Sequence, residues 1–243
     1  MLIINADDWG RSEAETDSAL KCYKAERITS VSAMLFMADS ERAADLAKEG
    51  RLTVGLHLNF SEPFTGTTNS PRLNDCHRRT VNYLKTNKYA QLIYNPLLRK
   101  AFSYSCLAQL DEFRRLYQTE PSHIDGHHHM HLCANMLFSG AIPAGMRMRR
   151  NFSFWPGEKS LLNRVYRALV DRWIAHKYWI ADYFFDLTQC LRENKLHRVA
   201  ALAKSNRVEL MTHPVDRTEA DYLASTEFYE FLQQLDVGSY ALV

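Results

Sequence analysis

Short apolar runs alternate with helix-like segments along the chain, and this alternation restricts the fold more than any other feature. The runs "LIIN" (2–5), "TSVSAML" (29–35), "LTVGLHL" (52–58) and "RVELMT" (207–212) read as buried strands. "HIDGH" (123–127) reads as a short strand, and "GMRMR" (145–149), "DYFFDL" (182–187) and "SYALV" (239–243) as weaker ones. Between them, 12–27 reads as a helix with Ser12 as N-cap and Glu15 three residues later, a capping-box pattern. Residues 39–50 form a second helix closed by Gly50. Residues 60–82 read as a long loop, 89–118 as helix interrupted near Pro96, and 158–177, 189–204 and 218–235 as further helices. Strand–helix alternation predicts a parallel sheet covered by helices. About seven or eight strands in a chain this long suit an α/β fold of the irregular (β/α) barrel type. An open doubly wound sheet competes, but the first turn, "NADDWGRS", lacks the GxGxxG fingerprint. No linker or repeat interrupts the pattern, so 1–243 reads as a single domain.

Composition matters here for what it excludes. Thirty basic and 28 acidic side chains leave a formal charge of +2, too balanced for a nucleic-acid binder or a polybasic membrane anchor. Cys22, Cys76, Cys106, Cys133 and Cys190 are scattered without a CxxC pair, so neither a disulfide framework nor a thiolate zinc site is expected. The start "MLIINADDWG" does not read as a secretory signal. No apolar run approaches the roughly 20 residues that span a bilayer. A reduced, cytoplasmic protein without an integral membrane segment is the expectation.

Polar groups fall where strands end. Asp7 and Asp8 follow "LIIN", His57 ends the third strand, Asp125 and His127 end the strand from His123, and His213 ends "RVELMT". In a (β/α) barrel the carboxyl ends of strands share one face, which carries the active site. Imidazole and carboxylate together hold a divalent ion, and three protein ligands leave room for water. Asp7 and Asp8 are expected to take different jobs, since consecutive strand residues face opposite ways. "HIDGHHHMHL" (123–132) holds five histidines. His127 and His131, four apart, are expected to share one helix face. All five cannot bind one ion. Each position also has a plainer reading. Adjacent aspartates often cap a helix, a lone histidine in an apolar strand is often core, and His213 before Pro214 could simply open a turn.

The segments "NADDWG", "VGLHLNF", "HIDGHHHMH" and "ELMTHP", in that order from residue 3 to about 214, resemble the motifs of the YdjC-like carbohydrate deacetylases. That family includes the chitooligosaccharide deacetylase and hopanoid-associated proteins. "GSYALV" resembles its last strand. The resemblance implies an irregular (β/α) barrel, one divalent metal (magnesium or zinc) and removal of an N-acetyl group from an amino sugar. It implies Asp8, His57 and His127 as metal ligands, Asp7 as general base and His213 as the acid that protonates the amine. Asp125 would orient a ligand histidine. His131 and Arg147 would stand behind the ligands or face substrate, Arg147 where the family often has a strand-end arginine.

The chain departs from the family pattern in places. "HPVD" replaces the usual glycine after "HP", "MRMRRNFSFW" is unusually basic and aromatic, and 60–115 matches poorly. The run Arg147–Arg150 could meet a phosphate or carboxylate on the substrate, though such runs are more often a solvated face. Trp9, Phe60, Phe64 and Trp155 are candidates to stack on a sugar. A metal-dependent phosphoesterase and a non-catalytic sugar- or metal-binding protein are the rival readings. A homodimer is left open.

Overall fold

The computed structural model describes residues 1–67 and 69–242. Its strands are β1 (Leu2–Trp9), β2 (Ser30–Ala33), β3 (Val54–Leu58), β4 (Ile124–Gly126), β5 (Tyr183–Asp186), β6 (Val208–Thr212) and β7 (Val237–Gly238). Its helices are α1 (Glu13–Lys24), α2 (Ser40–Gly50), α3 (Pro71–Lys85), α4 (Arg99–Tyr117), α5 (Ala134–Leu137) and α6 (Leu161–Ala175), then α7 (Leu187–Arg192), α8 (Leu196–Ala203), α9 (Arg217–Leu223) and α10 (Thr226–Leu232). The strands run in the order β4-β3-β2-β1-β6-β5, every neighbouring pair parallel, with β7 paired to the start of β1. Parallel bridges Ile124↔Met148 and Arg147↔Trp179 carry the curl beyond β4. The sheet is thus a half-barrel, the irregular (β/α) architecture that the alternation predicts.

β1 is central and buried at every position, which explains its continuous apolar start: a strand covered on both faces does not alternate. The outer layer is built from helices that present one apolar face. In α4, Phe102, Cys106, Leu110 and Phe113 recur at helical spacing and are buried against the sheet.

Several elements differ from the sequence expectation. Much of the expected loop 60–82 is helix. α3 opens on Ser70, whose side chain accepts from Leu73 N at 3.2 Å, and on Pro71, whose missing N–H costs nothing in a first turn. Residue 68 of that stretch lies outside the described residues. Residues 145–149 make isolated bridges rather than a full strand. The last strand is Val237–Gly238, while Tyr240–Leu242 form a 3-10 turn, and residue 243 lies outside the described residues. The expected helices over 189–204 and 218–235 each divide in two. Ser12 makes no cap bond; its hydroxyl donates to Glu15 instead. Gly50 remains helical, and Arg51 takes the left-handed residue that ends α2 (φ 52°).

Candidate active site

Two aspartates meet at the end of β1 because the strand is irregular there. Ala6 pairs with Val31 and Trp9 with Ala33, so β1 carries one extra residue between those pairs. Asp8 occupies the left-handed region (φ 66°), a conformation a non-glycine residue holds only when its surroundings enforce it. The strict alternation expected for Asp7 and Asp8 therefore fails. Both carboxylates approach His57 Nε2, Asp8 Oδ1 at 3.3 Å and Asp7 Oδ2 at 3.9 Å.

His57 and Asp125 are register partners on β3 and β4. His57 Nδ1 lies 2.8 Å from Asp125 Oδ1, which fixes the ring and leaves Nε2 facing the two aspartates. Burial alone would lower the His57 pKa. The charges of Asp125 and Asp7, with contacts from Asp125 and Asp8, outweigh it and raise it to about 10. The surroundings of Nε2 thus favour a cation there.

A metal fits this place on the geometry of the donors. One ligand atom from each of Asp8, His57 and His127 lies within 4.8 Å of the other two, and all three residues are buried. His127 Nδ1 sits 2.9 Å from Asp8 Oδ1, and His127 Nε2 is 3.2 Å from Glu62 Oε1. Yet Asp8 Oδ1, which meets both His57 Nε2 and His127 Nδ1, has no aligned hydrogen-bond partner. Buried donors and acceptors are nearly always satisfied, so an orphaned carboxylate oxygen between two imidazoles suits coordination of an ion. Burial opposes the charge on Asp8, but His127 and His57 hold its carboxyl far below the usual carboxylate range.

Behind these groups lies a network that the motif reading did not find. Arg149 is fully buried. Its Nη1 and Nη2 each donate at 2.7 Å to one oxygen of Asp7. Nη2 also lies 2.7 Å from Asp125 Oδ2, and Nε donates to Glu209 Oε1 at 2.8 Å. The guanidinium lies over the Phe184 ring, 4.8 Å from its centroid. Asn5 Nδ2 donates to Asp7 Oδ1 at 2.9 Å, and Ser32 Oγ donates to Asp125 Oδ2 at 2.8 Å. Tyr240 donates to Glu209 from the C-terminal turn and stacks on His123 at 3.9 Å. Burial pushes the Glu209 carboxyl up to about 7 against the pull of Arg149.

The arginine that contacts Asp7, Asp125 and Glu209 is Arg149, two residues beyond Arg147. Arg147 lies one pleat earlier on the same stretch, is half-buried and bridges Trp179 through its backbone. Arg150 turns to Asp171 at 2.7 Å. The expected basic run is therefore largely internal, with Arg149 fully buried.

The histidine run does not form one helix face. His128 and His129 are left-handed (φ 52° and 58°), so the segment kinks after His127. His131 is buried, with Nε2 3.0 Å from the Arg149 carbonyl, and stands behind the site. Burial holds its pKa down to about 4. His128 turns outward, its Nδ1 3.0 Å from Ser61 Oγ. Arg11 reaches the same rim and forks onto Glu62 at 2.9 and 3.2 Å.

His213 follows Thr212, the register partner of Ala6, and so leaves β6 beside Asp7. One atom each of Asp186, His213 and Glu219 lies within 4.8 Å of the others. Asp186, at the end of β5, was not singled out in the sequence. Its carboxyl is pushed up by burial and by the charges of Glu219 and Asp7. Of the expected sugar-stacking aromatics, Trp9 and Phe60 are wholly buried in the core. Phe64 stacks on His77 at 3.6 Å and Trp155 on Phe185 at 5.4 Å. A groove of about 510 Å³ lies beside the site, lined by His128 and His129, which follow His127, together with Tyr89, Leu92, Phe152, Tyr166 and Arg167.

The YdjC-like protein family profile matches residues 1–234. A carbohydrate deacetylase of Mus musculus is 27% identical, the alignment covering 88% of this chain and 77% of that protein. A chitooligosaccharide deacetylase of Yersinia enterocolitica is 25% identical over 99% of this chain and 98% of its own. Among solved structures, an Enterococcus faecalis protein provisionally assigned to cellobiose-phosphate cleavage superposes with a TM-score of 0.71 at 16% identity, covering 98% of this chain and 97% of that one.

Proposed function

The chain belongs to the YdjC-like family, and from that premise we propose that residues 1–243 act as one metal-dependent carbohydrate N-deacetylase. The observation that carries this reading is the convergence of Asp8, His57 and His127 at a buried, cation-favouring point with Asp7 beside it. The names of the relatives, a carbohydrate deacetylase and a chitooligosaccharide deacetylase, support the substrate class.

In this reading Asp8, His57 and His127 hold one magnesium or zinc ion. A divalent ion there would polarise the acetamide carbonyl and make a water molecule more acidic. Asp7 accepts the proton of the water that adds to the carbonyl carbon. Arg149 holds both Asp7 oxygens, so the carboxylate cannot rotate away, and since Oδ1 also accepts from Asn5, Oδ2 is the oxygen that keeps a lone pair free. His213 gives a proton to the amide nitrogen as the C–N bond breaks, releasing acetate and the free amino sugar. Glu219 accepts from the backbone N–H of His213, which fixes the residue at the end of β6, and Asp186 lies close by. Asp125 fixes the ring of His57 and shares Arg149 with Asp7.

The test is acetate release from N-acetylglucosamine oligomers with added magnesium or zinc, read beside phosphate release from sugar phosphates. Asp7→Asn should lower kcat by about 10²–10⁴-fold, the usual worth of a positioned base, while ion affinity measured by calorimetry is kept. Acetate release by Asp7→Asn at the native rate would reject Asp7 as base. Phosphate release without acetate release would favour a phosphoesterase.

A further inference from the structure

α6 is a helix in want of a partner. Only Val170, Asp171 and Ile174 of its 15 residues are buried. Leu161, Leu162, Val165, Tyr166, Leu169 and Trp173 are all exposed, Leu162 at 83%. At 3.6 residues per turn they share an arc of about 140° of the helix. The patch continues past α6. Trp173 meets Phe138 at 5.6 Å between ring centroids, and Phe138 meets Tyr94 at 5.7 Å. Tyr94 belongs to a stretch whose Tyr89, Leu92, Ile93 and Leu97 are exposed as well. Twelve large apolar side chains thus stand exposed on neighbouring segments, more than the single scattered ones an ordinary monomer surface carries.

Charge decides what covers it. Residues 72–110 and 159–181 hold twelve lysines and arginines, seven in the first stretch and five in the second. Of their two acids, Asp75 is paired with Arg78, and Asp171 is buried and bound to Arg150. Lys88, Arg99, Lys100, Arg164, Arg172 and Lys177 are exposed. The overall charge of +2 hides this local excess. A second copy apposed through the same face would bring like charges together. A bilayer with anionic headgroups supplies both an apolar layer and the opposite charge, and Trp and Tyr suit its interface.

We propose that this face seats the protein on an anionic lipid surface, with α6 lying flat at headgroup depth. No helix among the described residues is long and apolar enough to cross a membrane, so the attachment is peripheral. Tyr89, Leu92 and Tyr166 of this face also border the groove that leads past His128 and His129. The docked protein therefore holds this groove, beside His128 and His129, next to the lipid.

The test is co-sedimentation of the full chain with large unilamellar vesicles of phosphatidylcholine, alone or with about one third phosphatidylglycerol. Phosphatidylglycerol should strengthen binding at least about tenfold, and high salt should remove that gain. The pair Leu162→Glu and Leu169→Glu, on solvent-facing positions, should weaken binding at least about tenfold with an unchanged Tm. The pair Arg164→Glu and Arg172→Glu should abolish the preference for phosphatidylglycerol. Equal binding to both vesicles, or none, overturns the proposal. So does a lipid-indifferent dimer, seen by analytical ultracentrifugation, that the leucine pair dissociates. The assay reads binding without turnover, so its outcome is independent of the deacetylase reading.

Discussion

Replacing Arg149 with Met removes the only cation that touches Asp7, Asp125 and Glu209 together among the described residues. All three acids are buried, Asp125 and Glu209 completely. Met fills a similar volume, so packing changes little and the electrostatic loss dominates. Removing one partner of a buried ion pair costs about 3–5 kcal/mol, because the remaining charges stay desolvated and uncompensated. For a chain of this size that lowers Tm by roughly 6–20 °C. The loss must also depend on pH. Burial opposes the charge on Asp125, but Arg149 and His57 hold its carboxyl far below the usual value. A carboxyl with a depressed folded pKa adds stability that is full above its unfolded value near 3.8 and is lost as pH falls through the folded value. Without Arg149 the folded pKa of Asp125 rises, and that stability is already missing at pH 7. The difference between the native protein and Arg149→Met should therefore be largest near pH 7 and should shrink toward pH 4. Arg149→Lys keeps one charge but loses the fork onto both Asp7 oxygens, so it should fall between the two. Urea unfolding followed by circular dichroism at several pH values measures all three proteins. A deficit below about 1 kcal/mol at pH 7, or one that does not change with pH, would refute the claim that Arg149 neutralises the site.

Gly55→Ala should destabilise by about 1–3 kcal/mol in the same assay. Its Cβ would meet the His123 ring at 2.3–2.5 Å, and that ring is held by Ser32 and Tyr240. Burial lowers the His77 pKa to about 4, against a hydrogen bond to the Glu62 carbonyl that raises it. A histidine kept neutral in the fold gives stability that is full above pH 6.5 and is lost as pH falls toward 4. Between pH 7 and 4.5 the native protein should thus lose about 2–3 kcal/mol more than His77→Gln. Magnesium or zinc at about 100 times its Kd should raise stability by about 2.7 kcal/mol. Chelation should reverse that gain, and Asp8→Asn should show none of it in calorimetry or thermal melts.

The fold was legible where one local pattern implied one structure. β1, β3 and β6 are apolar runs bounded by polar residues, and each lies in the parallel sheet at its expected place. The missed elements are those whose local signals conflict. Residues 60–82 are rich in Pro, Gly, Thr and Asn, which suggest loop, but Ser70 and Pro71 are helix-start residues and Leu73, Val81 and Leu84 then recur as a buried face. The run "GMRMR" has strand composition but only single bridges, because it continues the curl past β4 where the sheet no longer closes on a full neighbour. The division of 218–235 follows from Ser225, whose side chain caps Phe228 N at 3.1 Å and starts a second helix. A capping serine inside an apolar periodicity reads as one more polar surface position until the chain is seen to turn there.

The site divides along the same physical line. Asp7, Asp8, His57, Asp125 and His213 each lie at or just beyond the carboxyl-terminal part of a strand, and parallel strands of one curled sheet deliver those ends to one face, so sequence position alone brought them together. Arg149 ends no regular strand. It lies in a segment rich in other arginines, and only depth within the molecule separates it from Arg147 and Arg150. Its effect depends on the bulge at Asp7 and Asp8, which a period of two does not foresee. Once the bulge turns both aspartates toward His57, three buried carboxylates face a space that the histidines alone cannot neutralise. A buried cation behind Asp7 then becomes an electrostatic requirement of the cluster. The side chain that meets it is the one that can fork onto Asp7 and still reach Asp125 and Glu209, which is beyond a lysine's single ammonium.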